Sequence, residues 1–142
     1  MFVSCAGISI VMLECLILGD SIAKGVSDVR KECVAYVKSG INSYAWNNAN
    51  IYRNLTAKTI VISLGTNDTY NINTFKELLA LRQSVDAERV SWILPPIKPE
   101  VQDVVRIIAK NYGDTIMVIP ELSKDKIHPT YNGYKQLAKE FK

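Results

Sequence analysis

Two short segments near opposite ends of the chain contain the side chains that could do nucleophilic chemistry. Ser21 directly follows Gly19 and Asp20 at the end of an apolar run, and His128, the only histidine, lies three residues after Asp125. A serine hydroxyl becomes a nucleophile when an imidazole takes its proton and a carboxylate holds that imidazole in the correct tautomer. The spacing of Asp125 and His128 could let the carboxylate reach Nδ1 while Nε2 faces the serine.

Each of these residues also has a simpler structural interpretation. Serine is favoured at helix N-caps, where its hydroxyl accepts from the N–H groups of the first turn, so Ser21 could be a cap alone. A single histidine in a loop, such as His128, is often only a surface residue. The chemical interpretation therefore depends on whether the fold brings the two segments together.

A serine nucleophile also needs hydrogen-bond donors where negative charge develops on the attacked carbonyl oxygen. Gly40 can offer a backbone N–H, Asn67 can offer a side-chain amide, and Ser21 can offer its own N–H. Gly40 could equally be a turn that ends a strand, and Asn67 with Asp68 could be a turn or a helix cap. The three candidate donors each follow an apolar segment that is typical of a strand.

Apolar runs and helical periodicities alternate along the chain and predict the elements that must position these residues. Strands are predicted at residues 11–18, 33–38, 59–64, 90–94 and 115–119, and each is followed by a helix, the last with Pro129 in its first turn. Right-handed crossovers then produce a parallel sheet with helices on both faces. We expect a three-layer α/β/α sandwich with the flavodoxin-like strand order 2-1-3-4-5. The loops after the strands meet at one edge, where ligands bind in such folds.

Length and charge narrow the class of protein further. The 142 residues suit one domain over residues 1–142, in which residues 1–10 are an N-terminal extension. A net charge of +3 without a basic run argues against a nucleic-acid partner. The apolar first 18 residues lack a basic leader and contain Glu14, so we expect neither a signal peptide nor a membrane span.

The cysteines indicate the cellular compartment of the protein, because thiols stay reduced in some compartments and form disulfides in others. The chain has three cysteines, Cys5, Cys15 and Cys33. Their odd number and their spacing, which is not that of a metal site, favour reduced thiols over a disulfide framework. Cys15 and Cys33 lie in apolar segments and are expected to be small core residues. Together with the absence of a convincing signal peptide, this favours the cytoplasm.

The residues described above resemble the sequence blocks of a known family, the SGNH or GDSL-type serine hydrolases. The blocks occur in the family's order, as Gly19-Asp20-Ser21, Gly40, Gly65-Thr66-Asn67-Asp68 and Asp125-x-x-His128-Pro129. The resemblance extends from about Met12 to Lys142. Gly-Asp-Ser alone occurs by chance, but the later blocks at strand ends make the combination specific. One departure is Lys126, where the family often has glycine.

The resemblance implies a serine esterase that works through an acyl-enzyme and requires no metal or cofactor. Ser21 would be the nucleophile, His128 the general base and Asp125 the acid that orients it. The expected substrates are small acyl esters, acetyl esters foremost, including acylated carbohydrate. An acyltransferase with the same site, which passes the acyl group to a sugar hydroxyl, is the alternative.

The resemblance also implies roles for residues around the nucleophile. The N–H groups of Ser21 and Gly40 and the side chain of Asn67 would form the oxyanion hole. Ser43 is an alternative to Gly40, because this block is the loosest match. Two acidic residues would hold the loops behind the site: Asp20 and Asp68.

Two other folds or functions suit parts of the pattern. A flavodoxin-like binding module without catalysis would have the same strands, although residues 19–25 are not a phosphate-binding motif and Asp20 would repel a phosphate. The larger α/β-hydrolase fold normally has its serine well inside the chain and its acid far from its histidine. Three aromatic residues are candidates to line an acyl or sugar pocket, with core packing the favoured role of the first: Trp46, Tyr44 and Tyr70.

Overall fold

The computed structural model of the chain has a five-stranded parallel sheet with helices on both of its faces. It describes residues 2–5 and 8–142, with side chains from residue 12 onward. The strands are β1 Phe2–Cys5, β2 Ile8–Val11, β3 Leu13–Gly19, β4 Val34–Val37, β5 Thr56–Ser63, β6 Asp86–Ile93 and β7 Thr115–Met117. The helices are α1 Ser21–Val29, α2 Ser43–Ala49, α3 Thr74–Ser84, α4 Pro99–Tyr112 and α5 Tyr131–Glu140. Among the described helices, none is long and apolar enough to cross a membrane.

The order of strands in the main sheet is β4-β3-β5-β6-β7, and all neighbours are parallel. Counted from β3, this is the predicted order 2-1-3-4-5, which is therefore confirmed. Ahead of the main sheet, β1 and β2 pair antiparallel as a separate two-stranded sheet. The helices that follow β3 to β6 each begin near the carboxyl end of a strand, so their preceding loops share one edge.

Alternate residues of the central strand β3 face two different helical layers. Leu16 and Leu18 belong to a core with α2, α3 and α4, whereas Cys15 and Ile17 belong to a core with α1 and α5. These four side chains are at most 4% exposed, as expected of a parallel strand that is covered on both faces. The expected three-layer sandwich is confirmed.

Several element boundaries differ from the sequence-based predictions. The first strand of the main sheet begins at Leu13 rather than at residue 11. The spacing of Ala45, Ala49 and Tyr52 predicts a helix within residues 41–55, but the second helix covers only Ser43–Ala49. Asparagine side chains form local bonds there, and Asn50 donates to the Trp46 carbonyl where the helix ends. The last helix begins after Thr130, whose hydroxyl accepts from the Gly133 N–H, so the expected proline lies just outside it.

Cys15 and Cys33, which were expected to be reduced thiols, form a disulfide. Leu16 pairs with Val34 between β3 and β4, so the residue before each of them lies opposite its counterpart. The Cα atoms of the two cysteines are 4.8 Å apart, a separation that suits a disulfide. The prediction was wrong because it considered spacing along the chain and not the register of the strands. The pairing also removes the thiol argument for the cytoplasm, since disulfides persist mainly in oxidising compartments.

We expect the double variant Cys15→Ala/Cys33→Ala to lose about 3 kcal/mol of unfolding free energy, because a cross-link over a short loop restricts the unfolded chain. Urea unfolding of the two proteins measures the difference, and Cys5→Ala serves as the control. Alkylation of the denatured, unreduced protein should leave Cys15 and Cys33 unmodified. Modification of Cys15 and Cys33 without a reducing agent would show that the disulfide does not form.

Candidate active site

The turn between β3 and α1 places Ser21 at the carboxyl edge of the sheet. β3 ends at Gly19, whose φ of +140° lies in a region that other residues rarely adopt. A Cβ on Gly19 would lie 1.8 Å from the Ser63 carbonyl oxygen, and the Asp20 N–H donates to that oxygen at 3.0 Å. The turn therefore requires glycine, and it makes Ser21 the first residue of α1.

Hydrogen bonds connect Ser21, His128 and Asp125 in series. The Ser21 Oγ lies 2.9 Å from the His128 Nε2, and the His128 Nδ1 lies 2.7 Å from the Asp125 Oδ2. Ser21 and His128 are both half-buried, so the imidazole is accessible from the sheet edge. An imidazole in this position can take the hydroxyl proton while the carboxylate stabilises the resulting cation.

The other oxygen of Asp125 is bound by its own loop. It accepts from the Ser123 hydroxyl at 2.8 Å and from the Ile127 and His128 N–H groups at 2.9 Å. The hydrogen bond with the His128 ring, followed by these donors, holds the pKa of the Asp125 carboxyl well below its ordinary value. Asp125 is therefore a carboxylate wherever the histidine can act as a base.

The loop that carries His128 is closed by backbone hydrogen bonds. The Ser123 N–H donates to the His128 carbonyl at 2.8 Å, and the Thr130 N–H donates to the Glu121 carbonyl at 3.1 Å. Lys126 has a φ of +62° within this loop, which costs a residue with a side chain about 1–2 kcal/mol. Glycine adopts this conformation freely, which gives a physical reason for glycine at the corresponding place in the resembling family.

Close packing of α1 against α5 brings this loop to Ser21. Gly25 lies against the Tyr134 ring, and a Cβ there would stand 2.2 Å from its Cε1 atom. At the other end of α1, the Arg30 guanidinium donates to the carbonyls of Ala138 and Phe141 at 2.6 and 2.8 Å. The two helices are thus packed together at the middle of α1 and bonded at its C-terminal end, which positions the residues before α5 beside the start of α1.

The predicted oxyanion donors lie on loops that are bonded to one another. The Asn67 Nδ2 donates to the Ile41 carbonyl at 3.1 Å, which links the loop after β5 to the loop after β4. The Lys38 N–H donates to the Gly19 carbonyl at 2.9 Å and links that second loop to the start of the site. Gly40 is exposed, with a φ of +78°. Asn67 retains a second amide hydrogen that it could donate to a substrate.

Ser43, the alternative to Gly40, is engaged elsewhere. Its N–H donates to the Asp68 Oδ1 at 2.8 Å, and its hydroxyl donates to the Asp68 Oδ2 at 2.6 Å. Asp68 also accepts from the Thr74 hydroxyl at 2.8 Å. The buried Asp68 therefore joins α2 and α3 to the loop that carries Asn67, and the Ser43 N–H is not available as an oxyanion donor.

Asp20 is a fully buried carboxyl that caps α1. Its Oδ1 accepts from the Ile22 and Ala23 N–H groups at 3.0 and 3.4 Å and from the Ser63 hydroxyl at 3.1 Å. Its Oδ2 has no hydrogen-bond partner among the described residues. Burial raises the pKa of Asp20 to about 6, against the opposing effect of these donors.

The three aromatic candidates separate clearly by burial. Trp46 is 2% exposed and donates from its indole nitrogen to the Tyr36 carbonyl at 3.0 Å, so it is a core residue. Tyr44 and Tyr70 are 57% and 103% exposed. Tyr44 directly follows Ser43, and Tyr70 lies two residues after Asp68. Within the described part of the chain, no group of three His, Cys, Asp or Glu side chains could hold a metal ion.

Sequence reasoning missed the residues that support the site from behind. Ser63, Thr74 and Ser123 all donate to acidic side chains of the predicted set, and Lys98 binds the loop that carries Asn67. Only the Ser123-x-Asp125 spacing, which is typical of a local side-chain turn, offered a signal. The others depend on contacts between distant segments.

No protein-family model matches the sequence, and no curated protein matches it at a significant level. Solved structures do match its fold. A protein from Bacteroides fragilis described as a "putative acylhydrolase" superposes with a TM-score of 0.65 and 18% identity, over 89% of this chain and 83% of that one.

Two further structures carry acetyl-ester chemistry in their names. One is the C-terminal catalytic domain of peptidoglycan O-acetyltransferase A from Streptococcus pneumoniae with a methylsulfonyl adduct, with a TM-score of 0.57, 14% identity, and coverage of 91% and 90%. The other is an acetyl xylan esterase from Butyrivibrio proteoclasticus, with a TM-score of 0.55 and 13% identity, over 92% of this chain and 62% of that one. These likenesses show the fold, and they agree with the resemblance to the SGNH hydrolases.

The raised pKa of Asp20 predicts a pH-dependent stability. A carboxyl whose folded pKa of about 6 exceeds its ordinary 3.8 stabilises the fold while it is protonated, and this stability is lost as the pH rises through 6. Relative to Asp20→Asn, the wild type should lose about 2 kcal/mol of unfolding free energy between pH 4 and pH 7. Urea unfolding at several pH values measures it.

The exposed Asp28→Asn, on the same helix, is the matched control and should not remove the loss of stability attributed to Asp20. Parallel stability curves for the wild type and Asp20→Asn would show that the buried carboxyl does not titrate in this range.

Proposed function

We propose that this chain is a serine hydrolase that cleaves small acyl esters, acetyl esters foremost, through an acyl-enzyme on Ser21. The single observation that carries the proposal is the hydrogen-bonded series from the Ser21 Oγ to the His128 Nε2, at 2.9 Å, and from the His128 Nδ1 to the Asp125 Oδ2, at 2.7 Å. A carboxylate orients the histidine, and the histidine contacts the serine hydroxyl. A protein that only binds a ligand has no need of this arrangement.

In the acylation half of the reaction, the Ser21 Oγ attacks the ester carbonyl carbon and its proton passes to the His128 Nε2. Negative charge then develops on the carbonyl oxygen, where the Asn67 amide and the N–H groups of Ser21 and Gly40 would donate. Loss of one such donor typically reduces the rate about 10²–10³-fold. The C–O bond to the alcohol breaks as His128 returns the proton to the departing oxygen, which leaves the acyl group on Ser21.

In the deacylation half, water takes the place of the alcohol. His128 removes a proton from the water as its oxygen attacks the acyl carbon, and it then returns that proton to the Ser21 Oγ as the carboxylic acid leaves. Asp125 keeps its negative charge throughout, because the donors around it favour the ionised form.

Two observations support acetylated carbohydrate as the substrate. The acetyl xylan esterase and the peptidoglycan O-acetyltransferase share the fold of this chain over nine-tenths of its length, and both names describe acetyl groups on carbohydrate polymers. The loop that carries Asp125 is exposed, and so are Tyr44 and Tyr70, which lie close in the sequence to Gly40 and Asn67. A site at an open edge is accessible to a polymer, and exposed aromatic rings can pack against the apolar faces of sugars.

Acyl transfer to a sugar hydroxyl is the second candidate function, because the acetyltransferase domain matches over 91% of this chain. The same acyl-enzyme would be attacked by an alcohol rather than by water. We expect hydrolysis to dominate when p-nitrophenyl acetate is supplied with an oligosaccharide acceptor, and mass spectrometry of the products measures the ratio. A majority of acetylated oligosaccharide would favour the transferase.

We expect Ser21→Ala and His128→Ala each to reduce turnover of p-nitrophenyl acetate by about 10⁴–10⁶-fold, since members of such a triad act as a unit. Asp125→Asn should be as severe or milder, through loss of the correct histidine tautomer. Steady-state kinetics measure the rates, and a fluorophosphonate probe should label the wild type but not Ser21→Ala.

Ser27→Ala is the matched control, because Ser27 lies on the same helix and donates to the Lys24 carbonyl away from the site. It should retain both activity and labelling. Turnover near the wild-type rate in Ser21→Ala or His128→Ala would reject the serine mechanism, and absence of labelling in the wild type would favour a binding module.

A further inference from the structure

A lysine side chain binds the loop that carries Asn67. Lys98 lies between β6 and α4, and its Nζ donates to the Thr66 carbonyl at 2.8 Å and to the Asp68 carbonyl at 2.6 Å. These two carbonyls stand on either side of Asn67 in the sequence. One ammonium group therefore restrains the peptide unit before Asn67 and the peptide unit after Asp68.

The conformation of Lys98 is unfavourable by itself. Its φ of +65° is left-handed, which costs about 1–2 kcal/mol for a residue with a side chain. Lys98 is also the N-cap of α4 and makes no side-chain cap bond there, and a cation is disfavoured at the positive end of a helix dipole. Backbone conformations of this kind persist where the surroundings demand them and are common at functional sites.

Lys98 completes the restraint of the Asn67 loop. On one side of the loop, the Asp68 carboxylate is bound by Ser43 and Thr74, and within it the Asp68 N–H donates to the Gly65 carbonyl at 3.0 Å. These contacts restrain the loop from α2 and α3. The contacts of Lys98 come from a separate segment, the one before α4.

We propose that Lys98 is a positioning residue for the oxyanion hole, because it sets the orientation of the Asn67 amide by binding the carbonyls of Thr66 and Asp68. This inference rests on the proposed esterase function and adds a residue to it. The Lys98 ammonium does not touch the substrate. Lys98 acts through Asn67. It therefore contributes to stabilising the transition state, where the oxyanion forms, more than to binding the ester.

The test is the kinetics of ester hydrolysis by Lys98→Met, which keeps the side-chain stem and removes the ammonium. We expect kcat to fall about 10- to 100-fold, the effect of a misplaced catalytic group, while KM changes by less than about two-fold. Lys98→Arg should recover part of kcat, because guanidinium can donate to the same carbonyls. Lys110→Met, at the exposed opposite end of α4, is the control and should keep the wild-type kcat.

Lys98→Gly separates the ammonium from the backbone strain, because glycine adopts the left-handed conformation freely. It should fold at least as well as Lys98→Met by thermal unfolding and still show the reduced kcat. A kcat within about two-fold of the wild type in folded Lys98→Gly or Lys98→Met would overturn the proposal.

A double-mutant cycle with Asn67→Ala tests the route of the effect. If Lys98 acts through Asn67, the kcat of Asn67→Ala/Lys98→Met should equal that of Asn67→Ala alone. Losses that multiply would show that Lys98 acts independently of Asn67 and would contradict the inference. Absence of esterase activity in the wild type would contradict the proposed function itself. Equal activities of the wild type and the Lys98 variants would contradict only the role of Lys98.

Discussion

The close approach of helices α1 and α5 is the constraint on which the candidate site depends. The absence of a side chain at Gly25 lets the Tyr134 ring lie where a Cβ would stand, and Arg30 bonds the far ends of the two helices through backbone carbonyls. With the helices this close, the residues before α5 reach the first residue of α1. The hydrogen bond between Ser21 and His128 is therefore a consequence of helix packing, and it spans 107 positions of the chain.

A second feature is the polar layer behind the sheet edge. Asp20 and Asp68 are both buried, but their surroundings differ. Asp68 accepts three hydrogen bonds shared between its two oxygens and joins three elements. Asp20 accepts its bonds on one oxygen, and the other oxygen has no hydrogen-bond partner within the part of the chain that the structure describes. Desolvation by burial disfavours the charged form of this carboxyl and raises the pKa of Asp20, and its hydrogen-bond donors oppose the shift only in part.

The fold was predictable because each of its strands is a short apolar run followed by a helical periodicity. A buried parallel strand must be apolar on both faces, and a crossover must be long enough for a helix, so the alternation alone selects the class of sheet. The boundaries were less predictable. The helix from Ser43 to Ala49 is shorter than its periodicity suggested, since the Asn50 side chain binds the last turn instead of continuing it.

The candidate triad was predictable for a different reason. Asp125 and His128 are close in the sequence, so their contact is local, and Ser21 follows a strand whose end had to lie at the sheet edge. The supporting contacts lacked any such local signal. Neither the bonds from Ser43 to Asp68 nor those from Lys98 to the carbonyls around Asn67 follow from spacing, because their partners come from loops after different strands.

The sequence by itself determined the order of the strands and helices, the apolar core and the identity of the groups that could react. These properties follow from periodicity and residue type, which are local. Only the tertiary structure decided which distant groups meet. The register of β3 and β4 sets the Cys15–Cys33 disulfide. The packing of loops decides that Ser43 binds Asp68 and that Lys98 binds the carbonyls around Asn67. Such contacts depend on how far each strand is shifted and how closely helices pack, and these distances are not encoded in any one segment.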